Sequence, residues 1–102
     1  MRTVEYVKLL NPENRVRIRF DTDQGQVLRF TVQLECRFDE WAPVLRYDTA
    51  HGFAHYDIIH PHGNDQKIPI EIQDFMEALA FGVADITQNW GRYRERYEGW
   101  QR

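Results

Sequence analysis

The sequence predicts an α+β fold: an antiparallel meander sheet of four or five strands with a long C-terminal helix packed on one face. Three observations carry this. Residues 14–38 hold two runs in which apolar and polar side chains alternate at period two. Residues 39–66 are punctuated by turn-forming Gly, Pro, Asn and Asp. From about residue 72 the apolar spacing lengthens to three and four, the period of a helix.

Taken in order, Val4-Glu5-Tyr6-Val7 fits a further strand or a short helix equally well. Residues 14–21 place Val16, Ile18 and Phe20 on one side of a strand. Asp21-Thr22-Asp23-Gln24-Gly25-Gln26 supplies turn residues, and residues 27–38 alternate again. Leu28, Phe30, Val32, Leu34, Cys36 and Phe38 share one face of that second run. Two such runs about a Gly-containing turn make a hairpin. A third strand is expected over 43–48 and a fourth over 53–59, with Thr49-Ala50-His51-Gly52 as their turn. Pro43 suggests a strand start or an edge position. After the Pro61-His62-Gly63-Asn64-Asp65 turn, Lys67-Ile68-Pro69-Ile70 fits a short fifth strand.

Phe75, Leu79, Val83, Ile86, Trp90, Tyr93 and Tyr97 form the helical stripe. Asp74 and Glu77 resemble a capping pair. Arg92, Arg94 and Arg96 suit the negative end of the helix dipole, and Gly99 is a natural stop. Gly82 lies on the buried side, where it would let the helix approach the sheet. The predicted core is Val16, Ile18, Phe20, Leu28, Phe30, Val32, Leu34, Cys36, Phe75, Leu79, Val83, Ile86 and Trp90.

A chain of 102 residues suggests one domain, 1–102. The net charge of −3 gives no bulk attraction to nucleic acid or anionic membrane, so any such binding must use a local patch. The single Cys36 excludes an internal disulfide and fits a reducing interior. At a core position it reads as an inert thiol. Charges interrupt the apolar residues of Met1–Leu10, which excludes a signal peptide reading. No apolar run reaches membrane-spanning length, and a cytoplasmic location is expected.

All four histidines lie within residues 51–62, beside Arg46, Tyr47, Asp48, Tyr56 and Asp57. Histidine exchanges protons near neutral pH and binds metals readily. A four-residue turn would set Asp48 opposite Phe53 and Arg46 opposite His55. Opposed residues share a face, so Arg46, Asp48, His55 and Asp57 would point together to the open side of the sheet. Leu45, Tyr47, Tyr56 and Ile58 would then face the core. His51, His60 and His62 would sit on loops at opposite ends, and would converge only if a loop folded back.

These residues support three chemistries. In a catalytic reading His55 moves protons, Arg46 holds a phosphate, and Asp48 or Asp57 orients the histidine. Arg15, Arg17, Arg19, Arg29 and Arg37, on the polar side of the same alternation, would form a basic stripe for a phosphate backbone. In a metal reading, His55 and Asp57 with Asp48 or a loop histidine give a mixed N/O site, although the spacing matches no zinc signature. No particular cofactor is implied. In the plainest reading the histidines are turn residues and the arginines a solvated face paired with Glu35 and nearby acids. Trp90, Tyr93 and Tyr97 read as core rather than an RNA-binding tail. Trp100 falls outside that stripe and is expected to pack on a partner.

The segment Arg46-Tyr47-Asp48-Thr49-Ala50-His51-Gly52, followed by His55 and by His60-Pro61-His62-Gly63, looks like small uncharacterised prokaryotic proteins. It also resembles the TumE-like toxins of toxin–antitoxin pairs, over the central third to half of the chain. That resemblance implies a cytoplasmic toxin acting on RNA and neutralised by a small antitoxin. The alternatives are a binding or assembly module, as a homodimer or with a protein partner, and a divalent-metal-binding protein.

Overall fold

The computed structural model describes residues 1–102 as one six-stranded antiparallel sheet and one long helix. The strands are β1 (Arg2–Asn11), β2 (Asn14–Asp23), β3 (Gln26–Arg37), β4 (Trp41–Asp48), β5 (His55–Ile58) and β6 (Gln66–Pro69); the helix α1 spans Phe75–Gln101. The strands lie side by side in chain order, a simple meander. The class is as the sequence predicts, with more strands than expected. The extra one is β1, which settles the N-terminal segment as a strand. Its residues continue the pairing of β2, with Tyr6 opposite Ile18 and Val4 opposite Phe20.

Local chemistry makes the turns. Asn11 Oδ1 accepts from the Glu13 N–H (2.8 Å) and from Asn14 Nδ2 (2.9 Å), closing the β1–β2 connection. Gln24 and Gly25 both have positive φ, 50° and 79°, as a type I′ hairpin turn requires. The hairpin also contains a bulge, since Asp21 pairs with Arg29 while Thr22 pairs with Val27. Leu28 is therefore an extra residue, and the alternation changes phase there. Leu28 is 41% exposed rather than in the core, and Val27 packs against the core instead. A second bulge leaves Val44 between Pro43, opposite Glu35, and Leu45, opposite Leu34. Pro43 lies before the stretch where β4 pairs with β5, so its missing N–H leaves no gap in that ladder.

The helix lies mainly across β3 and β4. Val16, Ile18, Phe30, Val32, Leu34, Cys36 and Ile86 are buried as predicted. Phe20, Phe75, Leu79, Val83 and Trp90 are only partly covered at the margin of this core. Small residues mark the closest approach. A Cβ on Gly82 would stand 2.9 Å from Tyr47 Cγ, which is why a glycine is needed there. The Tyr47 hydroxyl donates to Asp85 Oδ2 (2.6 Å), and the Tyr93 hydroxyl donates to the same carboxylate (2.8 Å), locking helix to sheet. Burial and then the Asp85 hydrogen bond push the Tyr47 phenol far above its ordinary range. Burial likewise raises the Cys36 thiol to about 12, consistent with an inert sulfhydryl.

Asp74 caps the helix, accepting from the Glu77 N–H (3.1 Å). The expected stop at Gly99 does not occur, for the helix continues to Gln101. Tyr97 is buried beside Phe38, and Trp100 stacks on His60 at 3.9 Å, so packing holds the final turn. Trp100 thus has a packing partner within the chain, His60. Nor does the last turn carry a basic residue. Arg94 instead donates to the Glu13 carbonyl (3.1 Å), Asn14 Oδ1 (2.8 Å) and the Arg37 carbonyl (2.8 Å), tying the helix to two strand ends. No helix is long and apolar enough to cross a membrane.

Candidate functional site

The helix covers one face of the sheet, and the other carries the polar halves of the alternations. In a meander, opposed residues fall into rows across the strands. One row reads Glu5, Arg19, Thr31, Asp48, His55, Pro69; its neighbour reads Val7, Arg17, Gln33, Arg46, Asp57, Lys67. These rows bring together the chemistry-bearing side chains of distant segments.

Asp48 pairs with His55 and Arg46 with Asp57. The register is two residues from the one expected, because six residues (49–54) connect β4 to β5 rather than four. A two-residue shift preserves the side on which each residue points, so Arg46, Asp48, His55 and Asp57 do share a face. The longer connection has a second effect. Thr49 Oγ1 accepts from the Phe30 N–H (3.1 Å), the Gly52 N–H donates to the Thr49 carbonyl (3.0 Å), and Gly52 takes φ 83°. The loop so formed folds back over the strands. The His51 and Phe53 rings stand 5.9 Å and 5.5 Å from the His55 ring.

His55 is therefore 0% exposed, not on an open surface. Its Nε2 lies 2.7 Å from Asp48 Oδ1 and 3.9 Å from Asp57 Oδ2. The two carboxylates are nearly covered, with side chains 13% and 11% exposed. Lys67, from the edge strand β6, completes the cluster. Its Nζ stands 2.9 Å from His55 Nε2 and 3.0 Å from Asp57 Oδ1. Sequence reasoning missed Lys67, since nothing in its own segment marks it. The signal was its register opposite Asp57, which requires the strand pairing first.

The two ring nitrogens of His55 meet different partners. Nδ1 faces the Phe53 carbonyl at 3.3 Å, an acceptor, which assigns the ring hydrogen to Nδ1. Nε2 can then offer one lone pair or one proton. It faces an acceptor, Asp48 Oδ1, and a donor, Lys67 Nζ, at nearly equal distances. Each of these neighbours has a second partner: Asp48 Oδ1 also accepts from the Ala50 N–H (3.1 Å), and Lys67 Nζ also donates to Asp57 Oδ1 (3.0 Å). Three ligand-type atoms, one each from Asp48, His55 and Asp57, lie within 4.8 Å of one another. Two carboxylate oxygens and an imidazole nitrogen suit a divalent cation.

Arg46 lies beside this cluster but donates Nε to Gln33 Oε1 (2.8 Å). The arginine stripe is also present, largely paired. Arg15 and Arg17 hold the buried Glu35 at 2.7 Å and 3.1 Å, and Arg19 and Arg29 hold the buried Asp21 at 3.7 Å and 2.9 Å. Burial tends to raise the Glu35 carboxyl, but hydrogen bonds from Arg17, Arg15 and Gln33 outweigh it and hold the group below its usual range. Asp21 is likewise held low, first by the Thr3 hydroxyl and then by Arg19 and Arg29, against the opposing effect of burial. Arg15 stacks over Trp41 at 3.9 Å, and Arg37 is exposed on the same face.

Of the other histidines, only His51 approaches the cluster. The His60 ring lies at the far end against Trp100, its backbone N–H bonded to Asp65. His62 lies in the turn between β5 and β6, beside His60. In comparison with known proteins, a family model described as a domain of unknown function (DUF7718) matches residues 1–102. No curated protein and no solved structure matches the chain.

Proposed function

The chain belongs to the DUF7718 family, and we propose that it is a toxin-like, RNA-directed phosphodiester hydrolase whose Asp48, His55 and Asp57 hold a divalent cation. One observation carries the reading: Asp48, His55 and Asp57 bring three ligand atoms within 4.8 Å of one another at a buried position beside the Lys67 ammonium. A cation in place of the Lys67 ammonium would accept lone pairs from all three ligands. Lys67 is the group able to leave, since its side chain is 42% exposed on an edge strand.

Full burial of His55 recasts its role. A sealed imidazole cannot touch a substrate proton, so His55 serves as a ligand rather than the proton-transfer group. The cation would polarise a phosphoryl oxygen and activate a bound water. Held by Asp48, His55 and Asp57, the cation would supply Lewis-acid assistance to hydrolysis, in which water adds to phosphorus and gives one proton to solvent while the bond to the ribose oxygen breaks and that oxygen takes one proton from solvent. Arg46 sits in the adjacent row, where its unbonded guanidinium nitrogens could hold a phosphate oxygen. The RNA substrate and an antitoxin partner rest on the resemblance to TumE-like toxins and on the arginine-bearing face.

Calorimetry with Mn²⁺ on purified protein, followed by incubation with a mixed RNA substrate, tests this. One Mn²⁺ per chain is expected, with RNA cleavage abolished by chelation. In Asp48→Asn/Asp57→Asn, Mn²⁺ affinity should fall by more than about 100-fold, beyond the effect of losing an outer-shell partner. No cation binding, or cleavage indifferent to chelation, ends the reading.

A second reading, an assembly module, has its own support. The ten-residue edge strand β1 has its outer side unpaired and exposes Tyr6, Val7 and Leu9. A homodimer by light scattering that is unaffected by His55→Ala, with no RNA cleavage, would favour it.

A further inference from the structure

A cleft of about 320 Å³ opens next to the cluster, lined by Arg19, Arg29, Thr31, Asp48, Thr49 and Ala50 among others. Asp48 belongs both to this wall and to the ligand set. The row Arg19–Thr31–Asp48–His55 explains the junction: the arginine stripe and the cluster meet on adjacent strands. Strand spacing puts the Arg19 and Asp48 Cα atoms about 10 Å apart, a gap that an extended arginine can close onto a bound group.

Charge decides what the cleft accepts and when. Arg19 and Arg29 contribute two positive charges, Asp21 and Asp48 two negative ones, so the cleft and its immediate partners sum to zero. A divalent cation on Asp48 changes that sum to +2. Both guanidiniums are exposed, with side chains 45% and 59% accessible, and each retains free N–H groups beside its Asp21 contact. Thr31 lies between Arg19 and Asp48 in the row, two residues along β3 from Arg29. Guanidinium, hydroxyl and cation together match the oxygens of a phosphate diester.

We infer that this cleft seats a phosphodiester, and that it does so only when the cation is bound. The inference rests on the cation site proposed above and adds the place and class of its ligand. Arg19 and Arg29 act as phosphate ligands; Arg15 and Arg17, turned to Glu35 in the next part of the face, do not.

The DNA dinucleotide thymidylyl-thymidine, which lacks the 2′-hydroxyl, serves as the probe, titrated calorimetrically with Mn²⁺ and with chelator. Affinity should be at least about 10-fold higher with Mn²⁺, a single charge-assisted contact being worth that much. Arg29→Met and, separately, Arg19→Met should each weaken the dinucleotide about 10-fold while Mn²⁺ affinity is unchanged. Arg37→Met, outside the cleft, should alter neither. Mn²⁺ binding without dinucleotide binding, equal dinucleotide affinity in chelator, or wild-type affinity in both cleft variants overturns the inference and leaves the cation site standing. Loss of Mn²⁺ binding itself in the wild type overturns both.

Discussion

Two buried charge clusters share the polar face, and they differ in the groups they gather. Around Glu35, every contact has the right sense. Arg15, Arg17 and Gln33 all donate, and the carboxylate only accepts. Around His55, one nitrogen meets both a carboxylate and an ammonium, and each of these has a second partner. Both networks are satisfied, but only the one at His55 gathers three metal-ligand groups around a partly exposed ammonium. The comparison makes the Glu35 end a network of fixed donors around one acceptor and the His55 end the cluster on which the proposed cation site rests.

The largest effect expected of this division is on stability. Glu35→Ala should lower the unfolding free energy by about 2 kcal/mol, since it removes the carboxylate that accepts from Arg15, Arg17 and Gln33. Asp57→Asn in cation-free protein should cost less, because its Lys67 partner is substantially exposed and such pairs contribute only ~0–1 kcal/mol. Urea denaturation measures both, and equal losses would erase the distinction between the two clusters.

The next effect sharpens the His55 end. If the Lys67 ammonium occupies the cation position, Lys67→Met should raise Mn²⁺ affinity about 10-fold by removing a competing positive charge. Unchanged affinity would show that Lys67 stands aside from the site. The smallest effect concerns pH. A carboxyl held below its usual range when folded adds stability that is complete above the unfolded value of 4.5 and is lost as pH falls through the folded one. Stability of the wild type should therefore decline on acidification below pH 4.5, and Glu35→Gln should flatten that decline. Parallel pH curves for the two proteins would remove Glu35 as its source.

Much of the fold was legible because alternation is a local signal. Val16, Ile18, Phe30, Val32 and Leu34 are buried where period two puts them, and Phe75 to Tyr97 follow the helical stripe onto the sheet. Leu28 was misread because a bulge shifts the phase of a strand without changing its composition. Gly99 was misread because glycine ends a helix only where nothing beyond it is held, and Trp100 is held by His60. In the candidate site, the shared face of Arg46, Asp48, His55 and Asp57 survived a two-residue register error, since an even shift keeps parity. Lys67 stayed hidden, because its partner Asp57 is defined only across strands.

By itself, then, the sequence determined the α+β class, the helix and its cap, and the side of the sheet on which the His/Asp/Arg group lies. Each follows from periodicity or from chemistry within a few residues. Tertiary structure alone decided that the 49–54 loop seals His55, that Lys67 enters its cluster, and that Asp48 joins that cluster to the arginine-lined cleft. Those facts depend on register and on loop path. Both are set by the balance of long-range packing and hydrogen bonding, which leaves no local trace in the chain.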